Sequence, residues 1–250
     1  MDALTQDAFW LSQLTEVVAL AAVAWGAGIL ATRYDVRVNY TRKIVHFSAF
    51  FLPVLVTDQF PFDPSPATTV MSGAILLALL GLLVKPIRRR SSFLTTVFRS
   101  FDRPEDRPHT LRWLTTQLAA GYVVIVAFGA VFNAMGMLHL IYIPIVVSGI
   151  GDGLAEPVGV RFGRRKYEVP AWGTDRTYVR TLEGSACVFL TAVAVLLVFR
   201  GSFATTQLLV ALATIPALMT LTEARAPHTW DQPFLMLTGS LSILAILTWV

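Results

Sequence analysis

The sequence predicts an all-α integral membrane protein, a polytopic bundle of about eight transmembrane helices with both termini on the non-cytoplasmic side. Three observations predict it. Hydrophobic residues make up 55% of the 250, and Asp, Glu, Lys and Arg only 14%, against roughly a quarter charged in an average soluble domain. Mean hydropathy is +0.62. The basic residues also fall in clusters between long apolar runs instead of being scattered. A water-soluble globule and a disordered chain are both excluded. Cys187 is the single cysteine, which rules out an intrachain disulfide framework and a multi-Cys zinc site.

A crossing needs about 20 mostly apolar residues. Eight segments qualify, 14–32, 44–60, 66–84, 113–133, 137–158, 183–200, 203–221 and 234–250. Met1 to Thr15 carries acids and no Lys or Arg, the wrong flank for a secretory signal, so Val17–Thr32 reads as a retained first span. The second segment contains His46 and Pro53. The stretch from Trp113 to Gly151 lacks Asp, Glu, Lys and Arg and is too long for one crossing. It divides at Asn133-Ala-Met-Gly136, where Asn and Gly supply a turn. No internal repeat or appended soluble domain is evident, and residues 1–250 read as one membrane domain with a catalytic core at about 140–235.

Orientation follows from Lys and Arg. With eight spans, the segments 33–43, 85–112, 161–182 and 222–233 share one side and hold four, eight, six and one of the 20 basic residues. Only Arg200 lies opposite. Basic loops stay cytoplasmic, so these four segments face the cytoplasm. The longest, from Lys85-Pro-Ile-Arg-Arg-Arg90 through Asp102-Arg-Pro-Glu-Asp-Arg-Pro108, reads as an irregular anchor touching anionic headgroups. A multi-pass location follows, in the plasma membrane if the source is prokaryotic. The lipid bilayer is a partner, and no nucleic acid is expected.

Acids near membrane depth cost about 2.5–3.5 kcal/mol at a helix centre, so they mark function. The fifth span ends Val147-Ser-Gly-Ile-Gly-Asp-Gly-Leu-Ala-Glu-Pro157. Asp152 and Glu156 are four apart and share a helix face until Pro157 interrupts the hydrogen bonding. Gly149, Gly151, Gly153, Gly159 and Gly163 admit close backbones or phosphate oxygens, and small-residue packing accounts for the glycines but not the acids. The following loop, Arg161-Phe-Gly-Arg-Arg-Lys-Tyr-Glu168 to Arg180-Thr-Leu-Glu-Gly-Ser185, mixes cations with glycines as a polyphosphate requires. Glu183 stands in the first turn of span six, where it also suits a plain helix start. Arg42 and Lys43 precede span two with His46 one turn inside. Glu223 ends span seven and Asp231 precedes span eight. Acids, cations and glycines at one cytoplasmic boundary suit a Mg²⁺–nucleotide complex meeting a lipid headgroup.

These residues resemble the CTP-dependent prenol kinases: phytol, farnesol and dolichol kinases and their relatives. Gly151-Asp-Gly-Leu-Ala155, Gly159-Val-Arg-Phe-Gly163, Lys166-Tyr167 and Leu182-Glu-Gly-Ser185 are similar to that family's central block. Arg42-Lys43-x-x-His46 resembles its N-terminal motif, and Glu223 with Asp231 resembles its ending. The run around Gly151–Tyr167 looks closest to phytol kinases. Where the family has a lysine before Thr or Ser, this chain has Arg180, and its terminal pair reads Asp231-Gln232.

The resemblance implies transfer of the CTP γ-phosphoryl group to the hydroxyl of an isoprenoid alcohol, with Mg²⁺ as cofactor. It implies Mg²⁺ at Asp152, helped by Glu156 or Glu183. Arg164, Arg165, Lys166, Arg180, Arg42 and Lys43 would meet the triphosphate, beside the backbone at Gly151, Gly153 and Gly184. Glu183 or Asp231 would accept the substrate proton, with His46 also counted among the catalytic groups. Arg180→Lys is expected to be tolerated if the family lysine's role carries over. The rivals are a phosphatidate cytidylyltransferase, for which Thr174-Asp-Arg176 is the only echo, a dolichol or diacylglycerol kinase, and a transporter. A transporter would place ionisable groups near the membrane centre and carry an internal repeat.

Overall fold

The computed structural model describes residues 6–250. It is predominantly helical, and its long helices fall on the eight apolar segments. The chain forms two compact units, Met1–Tyr122 and Val123–Val250.

In the first unit, α1 (Asp7–Arg33), α2 (Val38–Gln59) and α3 (Pro66–Gly81) are the long helices. The first begins seven residues ahead of the predicted span. Phe9 is fully buried and meets Phe62 edge-on at 5.2 Å, while Gln6 bonds Asp63, so the polar start is held in place. At α3, Ser65 caps the helix by accepting from the Thr68 amide at 3.2 Å, and Pro66 occupies the first helical position. Pro53 lies inside α2 without ending it.

Residues 85–112 depart from the irregular anchor that the sequence suggests. They form α4 (Lys85–Arg88), α5 (Ser92–Arg99) and a 3₁₀ turn at Pro104–Asp106. Ser91 caps α5, whose Val97 and Phe98 are buried in a cluster with Ala24, Leu83 and Phe101. Arg103 is 4% exposed and gives Asp106 two bonds, of 2.8 and 3.1 Å. Asp102 accepts from Arg107 and from Thr110, both at 2.8 Å. The prolines break only the stretch after Arg99. Part of the basic charge read as headgroup contact is therefore spent on folding this segment.

Gly28 of α1 lies so close to α5 that a Cβ there would overlap the Thr96 carbonyl. Backbone cannot yield as a side chain does. Gly28→Ala should therefore destabilise the protein by about 1–3 kcal/mol, read as a lower thermal unfolding midpoint in detergent. Gly26→Ala, which meets no atom within 4 Å, should leave that midpoint unchanged or raise it.

Helix α6 (Thr110–Ala134) contains the unit boundary and ends where Asn133-Ala-Met-Gly136 predicts a turn. Gly136 takes φ +71, its amide donates to Asn133 and the Met137 amide to Phe132, which together cap the free carbonyls.

In the second unit one long apolar stretch, Leu138–Phe162, changes winding along its length. A 3₁₀ turn (Leu138–Ile141) leads into α7 (Tyr142–Val146), a π segment (Val147–Asp152) and α8 (Gly153–Phe162). Pro157 does not stop α8, contrary to the sequence expectation. A helix gripped by its neighbours tolerates one missing hydrogen bond, and Gly159 and Gly163 both lie hard against Thr181. An antiparallel hairpin follows, β1 (Lys166–Pro170) with β2 (Thr177–Thr181), registered Tyr167 opposite Arg180. The purely α expectation is corrected here: the basic loop is a two-stranded sheet. Helices α9 (Leu182–Val198), α10 (Thr205–Arg225) and α11 (Asp231–Trp249) complete the unit around Leu140, Val147, Val188, Leu196, Ile215 and Ile243.

Among the described residues, five helical stretches are long and apolar enough to cross a membrane: Asp7–Arg33, Thr110–Ala134, Leu138–Phe162, Thr205–Arg225 and Asp231–Trp249. Pro66–Gly81 and Leu182–Val198 are apolar but shorter. Val38–Gln59 is long enough but carries Arg42, Lys43, His46 and Asp58. The protein is an all-helical membrane type with one hairpin added.

Candidate active site

The second unit gathers charge around Arg180. This residue is the penultimate one of β2 and lies on the same face as Tyr167, because cross-strand partners in a sheet project together. Its guanidinium forks. Nη1 donates to the Glu223 carboxylate at 3.1 Å and also to the Glu223 carbonyl, while Nη2 donates to Asp231 at 3.1 Å. The Arg180 side chain is 11% exposed and that of Glu223 4%. Residues 43 and 51 positions apart in sequence are thus tied by one side chain.

A chain of hydroxyls reaches the same carboxylate. Ser185, in the first turn of α9, donates to Glu223 at 2.7 Å, and the Tyr167 phenol and the Ser185 hydroxyl share a hydrogen bond of 2.6 Å. Burial first, and then the charge of Glu223, push the Tyr167 phenol up, against the opposing pull of Ser185 and Arg180. For Arg180, burial works against the charge, but Asp231, then Glu223 and Asp152, outweigh it and hold the guanidinium above its ordinary range.

Asp152 ends the π segment, is 7% exposed, and lies within electrostatic reach of Arg180. Asp152, Glu223 and Asp231 are thus three carboxyl groups gathered around one guanidinium. Glu156 is half-buried one turn further along α8. Among the described residues no three His, Cys, Asp or Glu side chains are spaced to hold one ion.

Two of the glycines expected beside the phosphates stand tightly against neighbouring helices. A Cβ on Gly151 would stand 2.9 Å from the Val188 Cα, and one on Gly184 would stand 2.6 Å from the Ala155 carbonyl. Both permit α9 to close on the π segment and α8, and Gly153 is buried beside them. Glu183 accepts from the Arg165 backbone amide at 3.3 Å, clasping the base of the hairpin, and Thr181 caps α9 by accepting from Gly184 at 3.1 Å. Arg164, Arg165 and Lys166 are exposed.

The hairpin is also fastened at its tip. The His228 amide donates to the Pro170 carbonyl at 2.8 Å, its ring stacks on Tyr178 at 3.7 Å, and Trp172 stacks on Trp230 at 4.4 Å. The turn between α10 and α11 therefore carries the hairpin's anchor, and the two site acids flank it, Glu223 in the last turn of α10 and Asp231 at the start of α11.

Arg42, Lys43 and His46 lie on α2 of the first unit. Lys43 is buried, Arg42 is half-buried, and His46 packs its ring against Phe50 at 4.9 Å. Of the expected site residues, Asp152, Arg180 and Asp231 meet in the second unit. Glu223, which the sequence reading placed only among the boundary acids, and Ser185 and Tyr167, which it named only as motif residues, join them through hydrogen bonds. Their spacing within the quoted motifs was the available signal. Comparison with protein-family models, curated proteins and solved structures finds no match.

Proposed function

We propose that the protein is a CTP-dependent lipid kinase that phosphorylates the primary hydroxyl of an isoprenoid alcohol, of the phytol type, at the cytoplasmic membrane face. The observation that carries this reading is that Arg180 ties Glu223 to Asp231 with Asp152 within electrostatic reach. The order of motifs, similar to that of the CTP-dependent prenol kinases, supports it. The alcohol oxygen attacks the γ-phosphorus, the bond to the β-phosphate oxygen breaks, CDP leaves, and the alcohol proton passes to a carboxylate.

Each group has a part in that transfer. Arg164, Arg165 and Lys166 meet the triphosphate from the exposed face of the hairpin base. Arg180 is a positioning residue, since its fork is committed to Glu223 and Asp231. Asp231 or Glu183 takes the proton. Mg²⁺ fits the oxygen-only, acid-rich donor set, because it is commonly held by one or two carboxylates plus substrate phosphates. Asp152, with Glu156, would hold it, and when bound it offsets charge on the transferring phosphoryl group.

The assay is purified protein with Mg²⁺, γ-labelled CTP and a panel of phytol, geranylgeraniol, farnesol, dolichol, diacylglycerol and phosphatidate. Label on a prenol is the expected result. Label on dolichol or diacylglycerol would keep the chemistry and change the substrate. Pyrophosphate release with a CMP-lipid from phosphatidate would replace the kinase by a cytidylyltransferase.

The reading includes eight spans with both termini outside. In a Cys187→Ser background, an impermeant maleimide added to intact cells should label Met135→Cys and Ala204→Cys. Arg89→Cys and Asp175→Cys should react only after permeabilisation. The opposite pattern would invert the topology and move the site to the outer face.

A further inference from the structure

The first unit contains a groove that the kinase reading does not use. Glu16 lies nine residues into α1, about 13 Å along the helix axis, where a carboxyl is costly unless it serves something. Its oxygens accept from Ser12 at 2.9 Å and from Gln13 at 3.4 Å. Both donors are neutral. Glu16 opens onto a cavity of about 50 Å³ whose lining includes Tyr122, Ser48 and Ser72 but no Lys, Arg or His. Leu20, Leu52, Ile75 and Leu76 form an apolar wall.

The occupant follows from shape and chemistry. A water-sized group fills about 10–15 Å³, so the space admits a polar head and the first few carbons behind it. The remainder of a chain would run along the leucine wall into the surrounding hydrocarbon. A phosphate head is repelled by Glu16. A quaternary ammonium wants a cage of aromatic faces, and Tyr122 is the one aromatic residue in the lining. A hydroxyl pairs with Glu16 in either protonation state, donating to the carboxylate or accepting from the acid. We propose that this groove binds the hydroxyl end of a long-chain alcohol in the membrane. The site stands on the groove alone and does not require the kinase reading.

The test uses the full chain in phosphatidylcholine nanodiscs without nucleotide. The probe is a geranylgeraniol analogue with a photoactivatable diazirine close to its hydroxyl, and adducts are mapped by mass spectrometry. Adducts should fall on α1 and α3 around Leu20, Ile75 and Leu76, and free geranylgeraniol should compete while its methyl ether does not. Glu16→Ala should lower labelling about tenfold, the worth of one hydrogen bond to a charged group, and Glu16→Gln should restore most of it. Leu76→Trp, which fills the groove from its apolar wall and keeps the carboxyl, should abolish labelling, so a poorly folded Glu16→Ala does not decide the matter. Labelling spread evenly over lipid-facing helices, or unchanged in Leu76→Trp, would overturn the proposal. An alkyltrimethylammonium competing better than the alcohol would overturn it too, by showing that charge selects the ligand. Because no turnover is read, failure here leaves the kinase assay to stand or fall separately.

Discussion

Asp152→Asn is expected to lower phosphoryl transfer from CTP by about 10³-fold or more, the scale of losing one preorganised electrostatic group at a transition state. Folding should not suffer. The substitution preserves shape at the end of the π segment, and it removes one negative charge from a cluster that holds Glu223 and Asp231 as well. Membrane expression and the thermal midpoint should therefore match wild type while turnover disappears. The separation is informative because π turns interrupt regular helices most often at functional sites. Turnover within about tenfold of wild type would remove Asp152 from the chemistry and leave the buried carboxylate without a role in this reading.

The second large effect concerns stability. Arg180→Ala leaves Glu223 and Asp231 facing each other with the guanidinium gone. Removing one partner of a buried ion pair costs about 3–5 kcal/mol, so the detergent-solubilised variant should unfold at a markedly lower temperature. Adding Glu223→Gln should recover part of that loss, because it withdraws an uncompensated charge. Arg180→Lys now carries a different expectation from the one that the motif alone suggests. The two arms of the fork serve two acids, and a lysine ammonium is a point charge that cannot reproduce that span. An intermediate midpoint is expected, with lowered transfer. A wild-type midpoint in Arg180→Ala would show that the fork contributes no net stability.

The helices were legible because apolar runs and basic punctuation are strong, local signals. The turn at Asn133–Gly136 was equally legible, since a left-handed glycine after a helix leaves a compositional mark. The hairpin was not. Its strands are five residues each, and six cations among glycines drew attention to anion binding. The alternation of Tyr167 with Val169, and the run Thr177-Tyr-Val-Arg-Thr181, were present but short. Asp152 was legible as a costly acid in an apolar run. Glu223 looked like an ordinary interfacial acid, because nothing local shows that Arg180, 43 residues earlier, would fold back onto it. The glycines carry an ambiguous signal. A small residue that admits phosphate and one that admits a neighbouring helix read identically until Val188 and Thr181 are seen against them.

The stacked indoles at the hairpin tip have an optical consequence. Two stacked rings, with planes 9° from parallel and centroids 4.4 Å apart, couple their electronic transitions, so Trp172 and Trp230 should give a split circular-dichroism band that neither gives alone. The band would vanish whenever the hairpin lifts from the segment ahead of α11. The protein thus contains its own label-free gauge of whether that segment is seated, readable during turnover and abolished by Trp172→Phe.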